Sequence, residues 1–129
     1  METQKLRIIF AVTLSILCIS IISSSSYAQA IKTTLADIIS HPDQYDGKMV
    51  QVEGKVTALE GKVSNRGNPY YTLKLADGDK SLTVYRNGIP SIQEGYSVSV
   101  MGMYQKLKHV GQRTFYNEID ASKGTVEKK

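Results

Sequence analysis

The chain has 129 residues, 16 basic and 12 acidic side chains, a formal charge of +4 and a single cysteine. That length holds one domain, and an apolar share of 41% with 22% charged residues describes a globular chain rather than a disordered or collagenous one. One cysteine excludes an internal disulfide framework and a cysteine-rich zinc site, and two histidines cannot make a His-only metal site.

The first thirty residues stand apart from the fold. Lys5 and Arg7 form a basic start, and Ile8 to Ile22 form an apolar run of 15 residues. A spanning helix needs about 20 such residues, so the run is short. After the serines Ser23 to Ser26, Ala28 and Ala30 supply the small-x-small pattern that signal peptidase accepts. Residues 1–30 therefore read as a secretory signal peptide cleaved after Ala30, a retained membrane anchor being the alternative. Cys18 follows Leu17 within apolar sequence and makes a poor lipobox, so no lipoprotein is expected. Cleavage would leave 99 residues. Losing Lys5, Arg7 and Glu2 would leave 14 basic and 11 acidic side chains, a net charge of +3, and no thiol for catalysis. The expected location is exported, periplasmic or secreted, with no stable membrane span after cleavage.

Residues 31–47 form a lead-in. Thr33 or Thr34 can N-cap a short helix with Leu35, Ile38 and Ile39 on one face. Pro42 ends it, and Asp46-Gly47 marks a turn. From Lys48 to Glu60 the period becomes two: Val50, Val52, Val56 and Ala58 share one face, and Gln51, Glu53, Lys55 and Thr57 the other. Gly54 sits on the inward face, where a bend or bulge is expected.

Gly61 to Pro69 reads as a loop. A second strand, Tyr70 to Ala76, turns Tyr71, Leu73 and Leu75 inward. Asp77 to Lys80 makes a tight hairpin turn into a third strand, Ser81 to Arg86, with Leu82 and Val84 inward. Asn87-Gly88 breaks that strand, and Ile89 to Gly95 connects to a fourth, Tyr96 to Tyr104, with Val98, Val100 and Tyr104 on one face. Gln105 to Arg113 reads as a basic loop, Thr114 to Asp120 as a fifth strand, and residues 121–129 as a charged, frayed tail. Five half-buried strands bury their apolar faces best as a small closed barrel, and the glycines inside the first and fourth strands suit strong coiling.

The run Val50-Gln-Val-Glu-Gly-Lys-Val56, then Tyr70-Tyr-Thr-Leu-Lys-Leu-Ala-Asp77-Gly78, Ser81-Leu-Thr-Val-Tyr85, and Gly95-Tyr-Ser-Val98-Ser-Val100-Met-Gly102 resembles the OB-fold of the tRNA-anticodon-binding and helicase-associated type. With the signal peptide, the chain is also similar to small exported bacterial OB-fold proteins. The resemblance covers residues 48–120. It implies an all-β, five-stranded, OB-type Greek-key barrel after the short helix. The segment 87–95 leaves no room for the helix that often caps such a barrel, and the leading helix is expected to cover that opening instead.

The resemblance places a binding surface on the outer face of strands two and three and on the flanking loops. There stand Tyr70, Thr72, Lys74, Thr83 and Tyr85, with Arg66 from the first loop and Lys106, Lys108, His109 and Arg113 from the last. Aromatic rings stack bases and cations track phosphates, so the expected partner is single-stranded nucleic acid or an oligosaccharide. Glu53, Glu60, Asp77 and Asp79 dilute the positive field.

His41 and Tyr45 spell a His-x-x-x-Tyr pattern similar to that of an OB-type haem chaperone, but it precedes the barrel where the family's follows it, and no haem is expected. His109 and Glu118 come within reach across the last hairpin without a nucleophile beside them. Asp77 and Asp79 are turn formers first. The chain is therefore expected to be a non-enzymatic binding module with no cofactor and no metal. The alternative is an envelope protein-interaction or stress module with no nucleic-acid ligand.

Overall fold

The computed structural model describes residues 29–129. The predicted signal peptide lies outside the described residues except for Gln29 and Ala30.

The described chain is mostly β-sheet, with six strands and two short helices. It begins with β1 (Ile31–Lys32), α1 (Leu35–Ser40) and α2 (Pro42–Tyr45). Thr34 is the cap: its hydroxyl accepts the Asp37 amide at 3.1 Å. Pro42 ends α1 and starts α2, where its missing amide hydrogen is not needed. The long strands follow: β2 (Met49–Val63), β3 (Pro69–Asp77), β4 (Lys80–Asn87), β5 (Ser97–Val110) and β6 (Arg113–Lys128).

Hydrogen-bonded neighbours run β1-β2-β3-β4-β6-β5, and β5 pairs again with β2, so the ladder through the five long strands returns to its start. The β1–β2 and β4–β6 pairs are parallel and the others antiparallel. Alternation then sends one side chain in two to a common interior. Val50, Val52, Val56, Tyr71, Leu73, Leu75, Leu82, Val84, Val98, Val100, Tyr104 and Ile119 fill it. These are the inward residues read from period two, joined by Ile119. The leading helix closes one opening, with Leu35 and Ile38 fully buried and α1 packed on β3 and β4. Ile92, from the irregular segment between β4 and β5, is also in the core.

Five sequence expectations need correction. First, residues 31–32 are not mere lead-in but pair with Val50 and Gln51 of β2. Second, Ala58 does not continue the inward row. Thr57 is an extra residue between the pairs Val56↔Leu75 and Ala58↔Lys74, and this bulge puts Leu59, rather than Ala58, beside the core. Third, the loop after β2 is shorter than Gly61–Pro69, because β2 runs to Val63 and only Ser64–Asn68 turns, closed by the Ser64 amide on the Asn68 carbonyl at 2.9 Å.

Fourth, Gln105–Arg113 is not a loop. β5 continues to Val110, Gly111-Gln112 makes the turn, and β6 resumes at Arg113 directly opposite Val110. Polar composition suggested a loop, yet cross-strand backbone bonds alone hold a ribbon. Fifth, residues 121–129 are not a frayed tail. β6 reaches Lys128, with Val126 paired to Val100 and both Ala121 and Val126 in the core. Between them β6 bulges out, since Met103 faces Asp120 while Met101 faces Thr125. Arg86 fills the gap, its guanidinium donating to the Ala121 carbonyl at 2.5 Å and the Gly124 carbonyl at 2.7 Å.

Candidate functional site

The β3–β4 hairpin builds the expected face. Its register sets Tyr70 opposite Asn87, Thr72 opposite Tyr85 and Lys74 opposite Thr83. These alternate with the inward Tyr71, Leu73, Leu75, Leu82 and Val84, so all of them point away from the core. Tyr70 and Tyr85 are diagonal neighbours, and their rings tilt together at 36° with centroids 5.3 Å apart. The Tyr85 hydroxyl donates to Asn87 Oδ1 at 2.8 Å.

A third element completes the cluster. The Lys108 ammonium lies 4.4 Å from the centre of the Tyr85 ring and 3.2 Å from Glu118 Oε1. Glu118 is 4% exposed, and among the described residues it is the one buried charged side chain. The parallel β4–β6 pairing brings it in, with Glu118 opposite Thr83 and Asp120 opposite Tyr85. Burial pushes the Tyr85 phenol above its ordinary range, Lys108 opposes that shift, and Asp120, Tyr70 and Glu118 add to it.

The other predicted residues divide. Arg66 stands exposed in the Ser64–Asn68 turn, and Arg113 stands exposed at the β5–β6 turn. His109 Nδ1 meets Thr114 Oγ1 at 3.1 Å. It does not meet Glu118, because the register sets His109 opposite Thr114 and Glu118 opposite Gln105, four residues further along the ribbon. Lys106 faces α2 instead: its ammonium is 2.8 Å from Asp43 Oδ1, and its amide donates to Asp46 Oδ1 at 2.9 Å. The bond to Asp43 and that residue's charge hold the Lys106 ammonium above its usual pKa. Asp77 and Asp79 flank Gly78, whose φ of +61° makes them turn residues, as expected.

Sequence reasoning missed Asn87 and Asp120, and placed Glu118 beside His109 rather than at the aromatic face. Asn87 follows Tyr85 by two and could have been found by extending the alternation. Nothing local places Glu118 and Asp120 at this face, since only a parallel pairing with residues 35 positions earlier brings them here. A groove of about 240 Å³ adjoins the face, lined by Ile39, Lys74, Thr83, Tyr116 and Asn117 among others. Among the described residues no three His, Cys, Asp or Glu side chains gather to hold a metal, and no helix is long and apolar enough to cross a membrane.

The surface thus offers two tilted aromatic rings, a cation over one of them, and hydroxyls at Thr72 and Thr83. It can stack flat rings and hold a negative group nearby. No activated nucleophile lies among these groups.

No family model and no curated protein matches this chain. Solved structures share its fold, among them the following two. The crystal structure of yeast Stn1 and Ten1 superposes with a TM-score of 0.58 at 12% identity, over 83% of this chain and 66% of that one. An enzyme assigned as an aspartyl-tRNA synthetase from Leishmania major Friedlin superposes with a TM-score of 0.52 at 17% identity, over 83% of this chain and 21% of that one. This chain therefore spans under two thirds of either. The likenesses support the OB-type fold expected from the sequence.

Proposed function

We propose that this chain is a non-enzymatic, exported binding module. Its five long strands form a closed OB-type Greek-key barrel, and its ligand is a single-stranded, nucleic-acid-like oligomer on the β3–β4 face. The observation that carries the reading is the convergence of Tyr70, Tyr85 and Lys108, drawn from three strands onto one patch. Each ring accepts one flat base or sugar, while Lys108, Lys74 and the peripheral Arg66 lie where a backbone of phosphates would run. The return of the strand ladder from β5 to β2 supports closure. The sequence of residues 1–30 supports export, and a mature N-terminus at Ile31 by mass spectrometry is the expected check.

Titration with fluorescent single-stranded oligonucleotides tests the ligand. Binding should weaken as salt rises, and Tyr85→Ala or Tyr70→Ala should lose about 1–3 kcal/mol each. Absence of binding at low salt would refute the nucleic-acid reading. A second reading is a protein-interaction module of the envelope with no nucleic-acid ligand. The carboxylates Glu60, Glu118 and Asp120 around the same rings favour it, because they offset the local cations. A partner captured by crosslinking in envelope extract, unaffected by nuclease and lost with Tyr85→Ala, would select it.

A further inference from the structure

The ribbon at the end of β5 and β6 carries a second surface. β2 pairs with β5 only up to Met103, and β4 pairs with β6 only from Glu118 onward. Beyond these points Leu107–Tyr116 is a two-stranded arm that pairs with no third strand, held by its own cross-strand pairs and tied back at its foot by Lys108, which reaches Tyr85 and Glu118. Isolated ribbons of this kind are marginal in water, and this one is apolar where water should be.

Eight large apolar side chains are exposed among the described residues, and four of them fall within these ten residues: Tyr116 at 69%, Val110 at 51%, Leu107 at 47% and Phe115 at 38%. They occupy both faces. Leu107 pairs with Tyr116 on one, while Lys108 pairs with Phe115 and Val110 with Arg113 on the other. A lipid interface surrounds the arm and covers both at once.

The charge points the same way. From Gln105 to Asn117 the sequence holds Lys106, Lys108, His109 and Arg113 and no carboxylate. Lys106 and Lys108 are paired at the foot of the arm, to Asp43 and Glu118, which leaves Arg113 at the tip beside Val110. A cation next to apolar and aromatic side chains is the composition that settles at the headgroup level of an anionic bilayer.

We propose that the Leu107–Tyr116 arm docks the protein on an anionic lipid surface, with Leu107, Val110, Phe115 and Tyr116 at the depth of the headgroups and Arg113 on lipid phosphates. This does not depend on the oligomer-binding reading.

The chain contains no tryptophan, so Tyr116→Trp makes a single reporter in the full-length protein. Ile89→Trp is the control. Ile89 is 81% exposed and follows the Asn87 end of β4, whereas the arm leaves from the end near Thr83. The control reads any contact due to residues 8–22 alone. With phosphatidylglycerol vesicles the emission of the Tyr116→Trp variant should shift to the blue and be quenched by brominated acyl chains, while the indole of the Ile89→Trp control stays aqueous. Phosphatidylcholine vesicles should give little shift in either variant. Adding Arg113→Gln should lower the affinity for the vesicles about fivefold, read as a rightward shift of the lipid titration, and Val110→Asp should abolish the shift in emission. Circular dichroism identifies any variant that fails to fold, and Arg113→Gln, an exposed tip change, keeps the comparison open. An arm indole that stays aqueous on anionic vesicles overturns the proposal. So does an equal shift on neutral vesicles, or a shift that appears without lipid and grows with protein concentration, which would make the arm an interface between copies of this chain.

Discussion

Lys108 shows how much one residue decides. Its ammonium serves both the Tyr85 ring and the buried Glu118 carboxylate. Lys108→Met should destabilise the fold by about 1–3 kcal/mol, because a charged acceptor is left buried without its donor. Adding Glu118→Gln should recover much of that loss, and urea melts of the single and double variants measure it. Gly102 is constrained differently. A Cβ there would stand 2.6 Å from the Asp120 carbonyl oxygen and 2.7 Å from Ile119 Cγ2. Gly102→Ala should therefore cost about 1–3 kcal/mol by overpacking, seen as a lower thermal midpoint. The glycine was readable as a strand residue needed for coiling. Which backbone it touches was not, because β6 is the contact.

At the scale of elements, caps and alternation were legible and strand ends were not. The sequence offered Thr33 or Thr34 as the helix cap and the structure selects Thr34, so Thr34→Ala should lose about 1 kcal/mol in thermal melts. The last nine residues read as a tail because charge and small side chains dominate them. Their strand character comes from β5: Val126 faces Val100, and the Lys129 amide donates to the Ser97 carbonyl at 2.9 Å. Truncation after Ser122 should lower the urea midpoint clearly, whereas loss of a frayed tail would leave it unchanged. The Arg86 guanidinium belongs to the same seam. Arg86→Ala should destabilise by about 1–3 kcal/mol, since the Ala121 and Gly124 carbonyls lose their donor.

Across the whole molecule, three tyrosines shape the alkaline pH response together with Lys106, whose pKa is raised by Asp43. Burial raises the phenol pKa values of Tyr71, Tyr85 and Tyr104 above 10, with Arg86 and Lys108 partly opposing the first two and Asp46 and Asp43 adding to the third. A raised folded pKa means the unfolded chain ionises first as pH rises. The contribution is fully present below about pH 10 and is lost as pH climbs through the folded values. Chemical denaturation between pH 9 and 12 should show this decline. Tyr104→Phe should flatten it at some cost in stability at neutral pH, because the Tyr104 hydroxyl donates to Asn117 Oδ1.

What the sequence determined by itself was the local alternation: which residues of β3, β4 and the start of β5 face inward, which do so in β2 as far as Val56, where the helix starts, and that Tyr70 and Tyr85 point outward from their strands. Those features depend on neighbours two to four positions apart, and periodicity records them. Tertiary structure alone decided the rest. It put Glu118 and Asp120 beside Tyr85, turned Lys106 toward Asp43, made the last residues a strand and left a bare ribbon at 107–116. Each depends on a pairing between strands far apart in the chain, and backbone hydrogen bonds form with any side chain present. They leave no signature in composition.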